Sequence, residues 1–148
     1  MAYESLLIAS GFSPKENAAG VFAKKYPQAD GYCIEVDFEK NTIDYGDIIQ
    51  LDSKTTQNFS HPENFVVLEC VNRLLEKGYK PENIVLEKTY PAGHGTSGRL
   101  DILLKKDDKA FLMIECKTYG EEFQKELKNT LNNGGQLFTY FQQDTNAE

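Results

Sequence analysis

Apolar and polar positions follow two different periods along this chain, and the switches between them outline its elements. Period-two alternation marks residues 31–38 (GYCIEVDF) as a strand. Glu39-Lys40-Asn41 is then a turn and 42–48 (TIDYGDI) the partner strand. Residues 83–90 (NIVLEKTY), 99–104 (RLDILL) and 110–117 (AFLMIECK) read as three more strands. The last two are joined by the polar turn Lys105 to Lys109. AFLMIECK is apolar on both faces in its first half, which predicts a central strand.

Helical spacing fills the rest. Ser13-Pro14-Lys15-Glu16 offers a capping serine, a first-turn proline and a glutamate three on, and predicts a helix to about Lys25. Ser60-His61-Pro62-Glu63 repeats that grammar before a longer helix that Gly78 stops. Residues 120–133 are polar and helix-favouring. Gly134-Gly135 interrupts them, and QLFTYFQQ adds a further helical turn or two. Residues 50–60 and 91–98 read as loops. The order is helix, hairpin, helix, three strands, helix. It predicts an α/β (α+β) fold with a mixed central β-sheet flanked by helices. Residues 1–59 form a helix and β-hairpin extension on a core at 60–148.

Charge and cysteine content narrow the function. The 148 residues carry a net charge of −7, which argues against a domain that grips DNA tightly unaided, since phosphate neutralisation supplies most DNA affinity. No apolar run approaches the ~20 residues needed to span a bilayer, and no signal-peptide pattern opens the chain. The three cysteines lack metal-like spacing and read as reduced thiols of a cytoplasmic protein. The ending, shortly after an apolar segment, suggests the front piece of a larger protein.

The chemistry lies in the last hairpin. Asp101 sits in one predicted strand, and fourteen residues later Glu115-Cys116-Lys117 sits in the next. Glu115 and Lys117 are two apart and share a face, and the hairpin brings Asp101 near both. Two carboxylates a few ångströms apart repel by ~4 kcal/mol at an effective dielectric of about 20. A divalent cation removes that penalty, and magnesium needs one or two carboxylates beside its waters. Lys117 can orient or deprotonate a water, or neutralise a phosphate in transition. Such a set suits phosphodiester hydrolysis.

Other residues carry weaker signals. At ~100° per residue, Glu63 shares the inward stripe of its helix with Val67, Cys70 and Leu74. It is a candidate site carboxylate and equally a capping-box partner of Ser60. Glu69 falls on the opposite, solvated side with Asn72, Arg73 and Glu76. Gln136 and Tyr140 share a helical face, so Gln136 can serve as a cap or reach the ionic cluster. His94, among loop glycines, reads as exposed.

In order and spacing, Glu63, Gly98-Arg99-Leu100-Asp101, Glu115-Cys116-Lys117 and Gln136-x-x-x-Tyr140 resemble the PD-(D/E)XK nuclease superfamily, with the last element similar to its RecB-like branch. Residues 60–142 are most similar to the N-terminal nuclease region of type I restriction enzyme R subunits and related restriction-modification polypeptides. Leu100 stands where the superfamily has its proline. The resemblance implies a restriction-endonuclease-like fold, metal at Asp101, Glu115 and the Cys116 carbonyl, Lys117 as catalytic lysine, and Glu63 and Gln136 as auxiliary residues. It implies Mg2+, with Mn2+ as a substitute, and double-stranded DNA as substrate. It also implies an ATP-driven motor in the same polypeptide, with methylation and specificity subunits as partners. The alternative is a non-catalytic docking module of a restriction-modification complex with the same fold.

Overall fold

The computed structural model describes residues 2–91 and 97–133. It is mixed α/β, with two four-stranded sheets and three helices among the described residues. The chain forms two compact units, residues 1–49 with 56–81 and residues 50–55 with 82–148. The segments are interleaved, so the helix that follows residue 60 groups with the first unit.

The first unit contains α1 (Ala2–Ala9), an antiparallel sheet of β1 (Ser13–Pro14), β2 (Val21–Tyr26), β3 (Tyr32–Asp37) and β4 (Thr42–Asp44), and α2 (Glu63–Glu76). Strand β3 alternates as its sequence predicts, with Ile34 and Val36 buried. A run of aromatic rings packs this unit: Phe22 against Phe38, Phe38 against Phe59, Phe59 against Phe65, and Tyr3 stacked on Phe65 at 4.0 Å. Their large apolar areas and preferred edge or offset geometries make such contacts a main source of core stability.

The helix expected over residues 13–25 is not formed. Asn17 and Gly20 have φ of 60° and 70°, which no right-handed helix accommodates, and the Lys15 N–H bonds the Val21 carbonyl across the turn. The segment is β1, a turn and β2 instead. Its period of two is disguised because the polar Lys24 stands between buried Phe22 and Tyr26 on the inward face. The Lys24 amine is satisfied there by the Ser10 carbonyl at 2.6 Å, Asn72 Oδ1 at 2.7 Å and the Glu76 carboxylate. The first helix is α1, and Gly11 closes it at φ 88° while the Phe12 N–H bonds the Leu7 carbonyl.

The same contacts correct the reading of α2. Arg73 and Glu76 are exposed as expected, but Asn72 and Glu69 on that side are drawn into contacts. Asn72 is buried and accepts from the Tyr26 hydroxyl at 2.8 Å, and Glu69 accepts from Ser10 Oγ at 2.8 Å and Arg73 Nε at 2.8 Å.

The second unit contains β5 (Gln50–Leu51), β6 (Ile84–Pro91), β7 (Ser97–Lys106), β8 (Lys109–Ile114) and α3 (Glu121–Asn133). Its sheet order is β5-β6-β7-β8, with β5 parallel to β6 and the other pairs antiparallel. The stretch expected as loop over 50–60 thus contributes a short strand. Val85, Tyr90, Leu100, Leu103 and Ala110 form a core against which Met113 packs. Among the described residues β8 is an edge strand and not a central one, and Leu112 on it is exposed. The β7–β8 turn is a two-residue connection with both Asp107 and Asp108 at positive φ, 52° and 61°, a backbone that suits the right-handed twist of the paired strands. No helix among the described residues is long and apolar enough to cross a membrane.

Candidate functional site

After a register shift between Leu104 and Lys105, the β7–β8 ladder runs to the pair Ile102↔Ile114 and then stops. One step further, the same register sets Asp101 across from Glu115. Strand pairing gives way there to a side-chain contact: Asp101 Oδ2 accepts the backbone N–H of Cys116 at 2.6 Å. The sequence reading extended the strand to Lys117, but the strand ends at Ile114 and Glu115-Cys116-Lys117 lies just beyond it. The physical reason is this contact. The Asp101 carboxylate takes the amide that a backbone carbonyl would otherwise bond, and a bond to a charged acceptor is the stronger of the two.

Lys117 Nζ and Glu115 Oε1 are 3.2 Å apart. Both side chains are largely withdrawn from water, at 7% exposure for Glu115 and 19% for Lys117. Cys116 is buried. Asp101, in the middle of β7, is therefore tied to Glu115-Cys116-Lys117 where β8 ends.

Two further charged side chains of this unit were given no role from the sequence, Arg99 being quoted there only as part of a motif. Glu87 interrupts the apolar alternation of β6 and is 8% exposed, at φ 55°. The flanking pairs Leu86↔Ile102 and Lys88↔Leu100 place it across from Asp101. Its interruption of an apolar strand was a legible signal of the same kind as Asp101. Arg99 Nη1 lies 3.7 Å from Glu87 Oε2 and donates to Ser53 Oγ at 3.2 Å.

Glu63 belongs to the first unit, at the first turn of α2. The expected capping box is replaced. The helix starts at Glu63 itself, Pro62 occupies the cap position without a side-chain cap bond, and the Ser60 N–H donates to Asn58 Oδ1 at 2.9 Å. Asn64 reinforces that turn by donating to the Asn58 carbonyl at 2.8 Å. Gln136, Tyr140 and His94 lie outside the described residues.

Among the described residues, no three Asp, Glu, His or Cys side chains form a group able to enclose a metal ion by themselves. Asp101 and Glu115, which the register sets across from each other, both offer hard carboxylate oxygens. That chemistry matches magnesium, which keeps several waters and takes one or two carboxylates, and not a closed all-protein cage. Comparison with known proteins gives no match to a family model, a curated protein or a solved structure.

Proposed function

We propose that this chain is a magnesium-dependent DNA endonuclease domain of restriction-endonuclease-like, RecB-branch type, belonging to the R subunit of a type I restriction enzyme. The observation that carries the reading is the Asp101–Cys116 hydrogen bond, which ties the acid of one strand to the Glu115-x-Lys117 segment of the next. A bound Mg2+, or Mn2+ in its place, would lower the pKa of its water and offset charge on the scissile phosphate. Asp101, Glu115 and the Cys116 carbonyl would hold it.

The chain's own groups have separable tasks. Asp101 fixes the Cys116 amide, and so the orientation of that peptide. Glu115 holds the Lys117 ammonium within 3.2 Å. Lys117 then supplies positive charge where the phosphate gains negative charge, and positions the attacking water. Double-stranded DNA is the substrate. The ATP-driven motor domains of the same polypeptide and the methylation and specificity subunits are the proposed partners, and delivery of DNA by them suits a chain of net charge −7. That same charge favours, as a second reading, a non-catalytic docking module.

Plasmid nicking with Mg2+ decides between them. The nuclease reading expects wild-type protein, in its full complex, to nick supercoiled DNA and Lys117→Ala to lose at least ~100-fold in rate. Undiminished cutting by the variant removes the catalytic assignment, and cutting by neither leaves the docking role.

A further inference from the structure

Arg99 precedes Asp101 by two residues on β7, so their side chains leave the same face of the sheet, about 7 Å apart along the strand. The guanidinium is held from two sides. Ser53 Oγ accepts from Nη1 at 3.2 Å, and Glu87 Oε2 lies 3.7 Å away. Half of the Arg99 side chain still faces solvent, at 50% exposure.

The supports under that guanidinium are unusual for a surface ion pair. Glu87 is a buried carboxylate at φ 55°, a left-handed conformation that costs an L-residue ~1 kcal/mol or more inside a strand. Ser53 is fixed through its neighbour. The Asp52 N–H bonds the Leu86 carbonyl at 3.1 Å, and Asp52 Oδ2 accepts the Thr89 N–H at 3.2 Å. A strained, buried acid and an anchored hydroxyl thus converge on one half-exposed cation. An ordinary exposed ion pair contributes ~0–1 kcal/mol, too little to offset both the strain and the burial. Strain of this kind gathers where a side chain must be aimed.

Building on the nuclease reading above, we infer that Arg99 is a phosphate-gripping residue of this site and that Glu87 is its positioning residue. The ligand is the phosphodiester backbone of nucleic acid. A guanidinium offers planar, paired donors that match phosphate oxygens, and one held beside Asp101 fixes the phosphate next to the carboxylates that carry the chemistry.

The test is binding of a short fluorescein-labelled DNA duplex to the full chain by anisotropy, without divalent cations, over a series of potassium chloride concentrations. Arg99→Ala should weaken binding about tenfold and reduce the slope of log Kd against log salt by about one. Arg99→Lys should restore the slope while leaving affinity below wild type, because lysine lacks the fork. Glu87→Gln should weaken binding about threefold with the slope unchanged. A structural role alone would shift the melting temperature and leave the slope untouched. If wild type binds duplex and Arg99→Ala keeps its slope, the inference fails while the nuclease reading stands. Wild-type affinity in Glu87→Gln removes the positioning role. Failure of wild type to bind duplex even at low salt overturns the inference, while the nuclease reading is judged separately by plasmid nicking with the full complex.

Discussion

Asp101 has two separable tasks, and replacing it by alanine or asparagine separates them. Its carboxylate accepts the Cys116 N–H at 2.6 Å, and Cys116 is only 2% exposed. A hydrogen bond to a charged group contributes about 1.5–3 kcal/mol, and a buried N–H left without an acceptor costs a comparable amount. Asp101→Ala should therefore destabilise the fold by about 2–3 kcal/mol. For a chain of this length that is a drop in Tm of roughly 5–10 °C. Asp101→Asn retains an oxygen acceptor of the same shape. A neutral bond is about half as strong, and loss of one charge beside Glu115 and Glu87 offsets part of the difference. Asparagine should thus lie within ~1 kcal/mol of wild type while removing a metal-ligating charge. The chain has no tryptophan, so far-UV circular dichroism in urea is the suitable stability assay. Hydrogen exchange at the Cys116 amide reads the bond itself: protected in wild type and Asp101→Asn, fast in Asp101→Ala. An alanine variant as stable as wild type, with that amide still protected, would refute the reasoning.

Two further predictions concern the scaffold. Burial, reinforced by the negative charges of Glu76 and Glu69, pushes the Tyr26 phenol well above its ordinary value near 10; the unfolded chain therefore loses this proton first, and stability is full below pH ~10 and falls above it by up to about 1.4 kcal/mol per pH unit. Tyr26→Phe should lose about 1 kcal/mol at neutral pH and show a shallower alkaline decline in urea midpoints between pH 9 and 11, whereas an unchanged decline would contradict this origin. The β7–β8 turn holds Asp107 and Asp108 at positive φ, so the double variant Asp107→Asn, Asp108→Gly should raise stability by about 0.5–1 kcal/mol in the same assay, and a fall would contradict the turn geometry.

How far the sequence reveals this arrangement depends on whether a signal is local. The period of β3, the run of β6 and β7 and the helical spacing of α2 are local patterns, and each element forms where its pattern places it. The helix start at Ser13 was misleading because caps and prolines occur in turns as well as helices. What decides there is Lys24, whose inward position depends on acceptors from Ser10, Asn72 and Glu76, distant in sequence. For the same reason Glu69 and Asn72 read as solvated from their own helix alone. At the candidate site, Asp101 was legible as a charge interrupting an apolar strand, and Glu115 and Lys117 as charges that close an apolar run. Glu87 carries that same mark, but its significance depends on the cross-strand position opposite Asp101 and on a positive φ that no residue type announces. Arg99 acquires meaning through Ser53, forty-six residues away. The end of β8 at Ile114 could not be read from AFLMIECK, because a side chain of the neighbouring strand sets it.

The claim beneath all of this is that Asp101 and Glu115 share one divalent cation. Calorimetric titration of Mn2+ into wild type, Asp101→Asn and Glu115→Gln measures that directly, each variant first shown to be folded by circular dichroism. The account predicts one cation per wild-type chain and loss of that binding in both variants. Equal binding by all three proteins, or none by wild type, would contradict it.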